Sequence, residues 1–252
     1  HNFSLLHDDV MDGDVTRRHR RTAWHVFGTS PAILAGDALL SLAFDVLAAS
    51  GHPAAGACVR MLSGAVLDLV DGQRADVAFE DRADVDLPEC LHMAERKTGA
   101  LLGCSGAVGA AFGDGSPEQI AHLRGFGERL GLAFQVVDDL LGIWGDPDVT
   151  GKPRHSDLRS RKKSLPVVSA LTSGTPAGHE LAALYHRDAP LSGPDVAYAA
   201  ELIDTAGGRS WSRAQADGLL AQALGHLRSA GPTARTAAEL HALADLITRR
   251  DH

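Results

Sequence analysis

Basic charge, cysteine and strand-like patterning are all scarce in this chain of 252 residues. The formal net charge is −8 at pH 7, so neither nucleic acid nor an anionic membrane surface is an expected partner. The three cysteines stand far apart without a Cys-x-x-Cys pair. This excludes a disulfide framework and a zinc site, and it indicates reduced thiols in a cytoplasmic protein. We expect no membrane span and no signal peptide, because no apolar run reaches the required length.

Alternation of polar and apolar residues between turn signals is absent, which argues against a β-sheet fold. Helical spacing of apolar residues repeats along the chain instead, with Gly, Pro and Asp at the ends of the runs. The expected helices are 31–49, 54–79, 88–112, 117–143, 165–172, 179–187, 194–206, 212–230 and 233–249, with Ser116 as the N-cap of the fourth and a loop over 146–157. The prediction is an all-α fold, an antiparallel helical bundle of one domain over 1–252, with its site between facing helices.

An acidic stretch followed by a basic one opens the chain. Asp8, Asp9 and Asp12 suit the last turns of a helix, where side chains three or four positions apart share a face. Converging carboxylates repel one another unless a cation neutralises them, and an all-oxygen site suits Mg²⁺, which adds water and phosphate oxygens. The arginines at 17, 18, 20 and 21 are forked donors suited to a polyphosphate. A solvated helix end with a basic loop is the alternative, and it is about as frequent for an isolated motif.

A second acidic pair, Asp138 and Asp139, ends another apolar helical run far downstream. Two such elements predict one cavity between them. Gly72 weakens its helix unless another part of the chain approaches closely, Lys97 precedes a stretch of small residues, and a lysine-rich loop follows Asp139. Each of these three signals, taken alone, is more typical of a solvent-facing surface.

Taken in order, these motifs resemble those of the trans-type isoprenyl (polyprenyl) diphosphate synthase family, most closely a geranylgeranyl diphosphate synthase. The matches are DDVMD with RR over 8–18, GD at 36–37, GQ with Asp76 over 72–76, KT at 97–98, FQVVDD over 134–139, GDPDVTGKP over 145–153, SDL over 156–158 and KKSLP over 162–166. Several motifs in one order are specific to a family. The resemblance implies an isoprenoid synthase-like bundle, usually a homodimer, with a central apolar cavity between two Asp-rich helix ends.

The resemblance also implies a chemistry. An allylic diphosphate ionises with the help of about three Mg²⁺, and the double bond of isopentenyl diphosphate attacks the resulting cation. The resemblance implies that Asp8, Asp12 and Asp138 bind metal, with support from Asp9. It implies that the allylic diphosphate is contacted by Arg17, Lys97, Lys152 and Lys162, and isopentenyl diphosphate by Arg18. Gln73 and Thr98 would lie near the reacting carbons, and Gln135 and Asp139 would line or brace this region.

Two departures from the family pattern stand out. Gly142 occupies the place of the third aspartate in the second acidic motif, which bears on the affinity for a third cation. The family's Gly-Lys-x-x-Arg-Pro stretch, which grips isopentenyl diphosphate, is absent before His1. Because the chain begins in mid-pattern without a helix cap, we expect that native N-terminal helices precede it.

Product length in the family depends on residues about one turn before the first motif. Phe3 beside the small Ser4 is typical of a geranylgeranyl (C20) product, with farnesyl (C15) next, and the alternative is that Phe3 belongs to the core.

Two other functions are weighed against elongation. A class I terpene cyclase is disfavoured because 138–146 lacks an Asn/Asp-x-x-Ser/Thr-x-x-x-Glu motif, and a regulatory subunit is disfavoured because both Asp motifs are retained.

Overall fold

The computed structural model describes residues 1–151 and 153–248, without the side chains of 149 and 150. The helices are α1 (Asn2–Met11), α2 (Ala23–Phe27), α3 (Thr29–Ala48), α4 (Ala55–Glu80), α5 (Leu87–Ala94), α6 (Ala100–Phe112), α7 (Pro117–Trp144), α8 (Pro147–Thr150), α9 (Ser156–Arg159), α10 (Leu165–Leu171), α11 (Pro176–Tyr185), α12 (Gly193–Thr205), α13 (Gly208–Ser229) and α14 (Ala234–Thr248). A π-helical segment, Glu95–Gly99, joins α5 to α6, and two short strands, β1 (Thr16–Arg17) and β2 (Arg20–Arg21), pair antiparallel. The all-α prediction is confirmed.

Several local features differ from the sequence-based expectation, since α2 was not predicted and the π-helical segment interrupts the expected helix 88–112. The β1–β2 pair contains two residues on each side, too few to produce a visible alternation in the sequence. The segment 146–157, expected to be a loop, contains the short helices α8 and α9. Asp146 caps α8 and Pro147 begins it, so a local helix signal was present among the loop-forming residues.

The central helix of the bundle is α7, which packs along α6 and along α13. Ser116 is its N-cap, as predicted: the Ser116 side chain accepts a hydrogen bond from the Gln119 N–H, and the Gln119 side chain accepts one from the Ser116 N–H. Farther along, Leu132 and Val136 pack with Leu165 of α10 in the main core. This packing fixes the C-terminal part of α7, which carries the second acidic pair.

Gly72 of α4 lies where the backbone of the π-helical segment crosses it. A Cβ placed on Gly72 would overlap the backbone nitrogen of Lys97 and lie 2.8 Å from its Cα, so only glycine permits this approach. π-Helical turns are frequent at functional sites, because the inserted residue redirects the side chains. Of the two interpretations left open for Gly72, a solvent-facing surface and a close contact, the structure shows the close contact.

Helix α3 corrects the expectation that no apolar run reaches the length of a membrane span. By length and composition α3 could span a membrane, because its mean hydropathy is 1.6 and only 11% of its apolar stretch is buried. It packs against α1 and α4. Its outer face exposes Leu34, Leu42 and Val46, which recur at intervals of four or eight residues and so form one stripe. The stripe is an apolar surface that the described residues do not cover.

Candidate active site

One cavity of about 1040 Å³ lies between the end of α1 and the C-terminal part of α7. Part of its wall is apolar, with Leu69 and Val77 from α4, Leu101 from α6 and Phe134 from α7. The predicted site residues that line it are Phe3, Asp8, Arg17, Arg18, Gln73, Lys97, Thr98, Gln135, Asp138 and Lys162. The cavity therefore suits a ligand with an anionic head and an apolar tail.

The first acidic motif is held by Arg17. Its Nε donates to Asp9 Oδ1 at 2.6 Å, and its Nη2 donates to Asp8 Oδ2 at 3.1 Å. Burial raises the pKa of Asp9 in spite of this arginine. Loss of surrounding water, followed by the charge of Asp8, raises the pKa of Asp12 to about 6, although part of the Asp12 side chain remains exposed. The repulsion between Asp8 and Asp12 is one that a bound cation would relieve.

Arg18 reaches the cavity because of a tight hairpin turn. Arg17 pairs with Arg20, which leaves Arg18 and His19 as the two-residue turn between β1 and β2. Both turn residues have a positive φ, 50° and 62°, as a type I′ turn requires. Residues other than glycine seldom adopt this conformation, so the turn is strained while it presents Arg18 to the cavity.

Lys97 lies in an ion-pair network that connects the π-helical segment with α4 and α1. Its Nζ is 2.5 Å from Asp76 Oδ2 and 3.2 Å from Asp8 Oδ1. Burial alone would lower the pKa of Lys97, but the charges of Asp76 and Asp8 outweigh it and raise the pKa. Lys97 therefore remains a cation at the cavity wall.

Lys162 is a second buried cation at the same wall. Burial opposes its charge, but nearby carboxylates, first Asp76 and then Asp157 and Asp139, raise its pKa above the usual range. In return, Lys162 and Lys97 lower the pKa of Asp76 against the effect of burial. Asp76 thus keeps both lysines charged. This part of the site could not be read from residue spacing, because the three residues are distant in the sequence.

A chain of hydrogen bonds connects the π-helical segment to α10 through α7. The Thr98 hydroxyl donates to Gln135 Oε1 at 2.7 Å, and the Gln135 amide donates to Asp139 Oδ1 at 2.8 Å. Asp139 Oδ2 accepts the backbone N–H of Leu165 at 2.8 Å. Burial raises the pKa of Asp139 to about 7, opposed by Lys162 and by the Leu165 N–H. Asp139 therefore connects α7 with the first residue of α10 and fixes the Gln135 side chain.

Three of the candidate carboxylates, Asp9, Asp12 and Asp139, do not line the cavity. Asp138 and Asp139 are adjacent on α7 and so point about 100° apart around the helix axis. Asp138 is exposed to the cavity, whereas Asp139 is buried in the core. Lys152, expected to contact the diphosphate, lies outside the described residues.

The carboxylates fit Mg²⁺ by charge and by donor type. Asp8 Oδ1 is buried and has no hydrogen-bond partner, despite its ion pair with Lys97. Within residues 1–151 and 153–248, no three carboxylate, imidazole or thiolate side chains converge on one point. Mg²⁺ does not require such a cage, because it retains water and takes phosphate oxygens from a substrate. Asp8 and Asp12 at the end of α1 and Asp138 on α7 are the residues suited to it.

A family model for polyprenyl synthetase matches residues 1–203. The chain belongs to the polyprenyl synthetase family. It is 49% identical over 254 residues to a (2E,6E)-farnesyl diphosphate synthase of Mycobacterium tuberculosis, an alignment that covers 99% of this chain and 70% of the relative. A geranylgeranyl diphosphate synthase of the same species is 47% identical over 252 residues, which cover 100% of this chain and 71% of the relative.

The fold of this polyprenyl synthetase is shared by solved structures. Geranylgeranyl pyrophosphate synthase from Corynebacterium glutamicum, complexed with isoprenyl diphosphate and magnesium, has a TM-score of 0.88 at 30% identity. The match covers 98% of this chain and 75% of that chain. The prediction of an isoprenoid synthase-like bundle is thereby confirmed.

Sequence reasoning gave no role to several residues of this polyprenyl synthetase site. Asp76 and Asp157 belong to recognised motifs, yet only the structure shows which charges they face. The apolar lining residues Leu69, Val77 and Leu246 carry no signal beyond ordinary helical periodicity. They come from helices that are distant in sequence, so only tertiary contacts could identify them.

Proposed function

We propose that this polyprenyl synthetase is a Mg²⁺-dependent prenyltransferase that condenses isopentenyl diphosphate with an allylic diphosphate into a longer trans-prenyl diphosphate. One observation carries the proposal: carboxylates from two facing helices and at least four cationic side chains share a single cavity with apolar walls. An anionic head and a hydrocarbon tail need both of these surfaces.

Mg²⁺ supplies charge neutralisation, which stabilises a diphosphate as a leaving group, with about three ions per site implied by the family. Asp8, Asp12 and Asp138 would hold these ions. The Corynebacterium relative was solved in complex with magnesium, which supports this choice of metal. Asp9 acts through Arg17, which it holds beside Asp8.

Arg17, Lys97 and Lys162 bind the allylic diphosphate, and the family resemblance adds Lys152. Asp76 keeps Lys97 and Lys162 protonated, so both cations are in place before the substrate arrives. The same cations stabilise the diphosphate after it leaves. Pre-positioned charges of this kind require little rearrangement during the reaction.

The reaction begins when the carbon–oxygen bond of the allylic diphosphate breaks and its electron pair moves to the diphosphate. The double bond of isopentenyl diphosphate attacks the allylic cation and forms the new carbon–carbon bond. A proton then passes to the released diphosphate, which restores a double bond, so no protein nucleophile is required. Gln73 and Thr98 would lie near the reacting carbons: Gln73 Nε2 is buried without a hydrogen-bond partner, and Thr98 is fixed by Gln135.

Arg18 would contact isopentenyl diphosphate from the strained hairpin turn. In the family, further contacts come from a Gly-Lys-x-x-Arg-Pro stretch that this sequence does not contain. The assay of elongation therefore compares this chain with the same chain extended by any native residues that precede His1.

The product is proposed to be geranylgeranyl diphosphate, with farnesyl diphosphate as the next possibility. Phe3 is 5% exposed and lines the cavity together with Ser4, one turn before Asp8. A buried aromatic ring in this place would limit the length of the hydrocarbon tail. The names of the two Mycobacterium relatives span the same C15 to C20 range.

The enzyme is proposed to act as a homodimer in the cytoplasm. The apolar stripe on α3, formed by Leu34, Leu42 and Val46, is a surface that a second copy would cover. The cysteines are free and buried, which suits a reducing compartment.

The dimer is tested at the stripe on α3. Leu42→Glu should lower the molar mass measured by light scattering, whereas Leu243→Glu, at a similarly exposed leucine on α14, should not. A parent that elutes as a monomer would reject the dimer.

The function is tested by a product assay with Mg²⁺, isopentenyl diphosphate and, in turn, the C5, C10 and C15 allylic diphosphates. We expect a prenyl diphosphate longer by one or more C5 units, identified after dephosphorylation by chromatography and mass spectrometry. A hydrocarbon formed without isopentenyl diphosphate would favour the cyclase instead. Turnover that requires a homologous chain would favour the regulatory subunit.

A further inference from the structure

The second acidic motif lacks a side chain at Gly142, and another carboxylate fills that place. Asp138 and Gly142 are four residues apart on α7, so a carboxylate at 142 would share the face of Asp138. A Cβ built on Gly142 would overlap Oδ2 and Cγ of Asp157 and lie 2.7 Å from its Oδ1. The carboxylate of Asp157 therefore occupies the space that an aspartate at 142 would use.

Asp157 is held in this place by the packing of α9 against α7. The hydroxyl of Ser156 donates to Asp157 Oδ1 at 3.2 Å and lies 3.4 Å from the backbone oxygen of Gly142. Asp138, Gly142, Ser156 and Asp157 all line the same cavity. The carboxylate of Asp157 therefore lies at the cavity wall beside Gly142, about one helical turn after Asp138.

We propose that Asp157 supplies the third carboxylate of the second acidic motif from a different segment of the chain. It adds its charge to the cation site of Asp138, and the absence of a side chain at Gly142 leaves room for it. This inference rests on the proposed function, because the cation concerned is the one that accompanies the diphosphate.

Asp157 also faces Lys162, and this suggests a second role that an experiment can separate from the first. A carboxylate that only held Lys162 would affect diphosphate binding equally at every concentration of divalent cation. A carboxylate at the cation site would change how diphosphate binding depends on the cation. The informative quantity is therefore the cation affinity of the protein in the presence of diphosphate.

The test measures binding of Mn²⁺ to the purified chain with inorganic diphosphate, by electron paramagnetic resonance of free Mn²⁺ and by calorimetry. We expect Asp157→Asn to weaken Mn²⁺ affinity by about 10-fold or more, and to leave binding of diphosphate without metal unchanged. Asp148→Asn is the matched control, because Asp148 is an exposed carboxylate on α8 outside the cavity. Asp157→Ser is a second variant without the charge, and circular dichroism checks that each variant is folded.

An exchange of the two residues provides the decisive comparison. Gly142→Asp alone should also weaken Mn²⁺ binding, because its side chain overlaps Asp157. Gly142→Asp combined with Asp157→Gly should recover most of the affinity, since one carboxylate again fills one space, and independent effects could not produce this recovery.

Parental Mn²⁺ affinity in Asp157→Asn and Asp157→Ser would overturn the inference, and so would losses in the two single variants that simply add in the double variant. Either result leaves the proposed function intact, because the parent would still bind Mn²⁺ with diphosphate. A parent that binds no Mn²⁺ in the presence of diphosphate would overturn both.

Discussion

Replacing Gly72 with alanine adds one methyl group where α4 meets the backbone of the π-helical segment. The new carbon would lie 2.8 Å from the Cα of Lys97 and 2.9 Å from the carbonyl carbon of Arg96. Comfortable contacts between carbon atoms begin near about 3.5 Å, so the segment must retreat by at least about 0.7 Å. Backbone atoms cannot rotate away as the end of a flexible side chain can.

The size of the effect follows from two opposed contributions. Overpacking of this kind costs about 1–3 kcal/mol, and the better helix preference of alanine returns up to about 1 kcal/mol. When alanine returns the full amount of about 1 kcal/mol, Gly72→Ala is expected to lower the free energy of unfolding by up to about 2 kcal/mol. The displacement also moves the backbone of Lys97 away from α4, which carries Asp76, the carboxylate 2.5 Å from Lys97 Nζ. Displacements approaching 1 Å in a site can cost about 100-fold, so kcat/KM should fall by about 10- to 100-fold.

Urea unfolding and steady-state kinetics measure the two effects, with Gly64→Ala as the matched control. Gly64 is on the same helix, and a Cβ there would meet no atom within 4 Å. Gly64→Ala should gain up to about 1 kcal/mol and retain parental activity. The reasoning is refuted if Gly72→Ala matches Gly64→Ala in both unfolding midpoint and kcat/KM.

Three further perturbations test separate parts of the site. Asp8→Asn should lower kcat/KM by about 1000-fold in a protein that circular dichroism shows to be folded, because it removes a proposed metal ligand and no core volume. Asp9→Asn should lower kcat/KM less, because Asp9 acts through Arg17; equal losses of kcat/KM would contradict this distinction. Phe3→Ala should lengthen the product by at least one C5 unit in the product assay, and Phe27→Ala, at a residue that is 71% exposed, should not; an unchanged product would assign Phe3 to the core alone. Burial raises the pKa of Asp139 to about 7, so the folded state favours the protonated carboxyl. Its contribution to the free energy of unfolding is therefore complete below about pH 4 and is lost as the pH rises through about 7. In urea unfolding with EDTA, the parent should therefore lose more stability between about pH 5 and 8 than Asp139→Asn does, and parallel curves for the two proteins would count against this assignment.

The helices were predictable because their signals are local. The cap at Ser116 was predicted correctly from the residue type, whereas at Gly72 the sequence left a solvent-facing surface and a close contact open, and only the structure decided for the contact. The β1–β2 hairpin was missed, since a turn through Arg18 and His19 with positive φ has no glycine to announce it. Local signals therefore predict a helix or turn where the residue types are those that usually adopt its backbone conformation. They fail at a turn such as Arg18–His19, where non-glycine residues adopt a positive φ.

The motifs were also predictable, but the resemblance alone did not show which of their residues share the cavity. Asp138 and Asp139 look equivalent in the sequence, and the helix geometry separates them into an exposed carboxylate and a buried brace. Lys97, Lys162 and Asp76 lie in different motifs, and their mutual effects on pKa arise only when the helices pack.

The amino-acid sequence by itself determined the helical class, the positions of most helices, the two acidic motifs and the family, because each depends on periodicity or on short ordered motifs. Tertiary structure alone decided which side chains share the cavity, which lysines are held charged, and which carboxylate fills the space beside Gly142. The physical reason is that burial and charge interactions depend on distances in space. Residues far apart in the chain acquire those distances only when the helices pack.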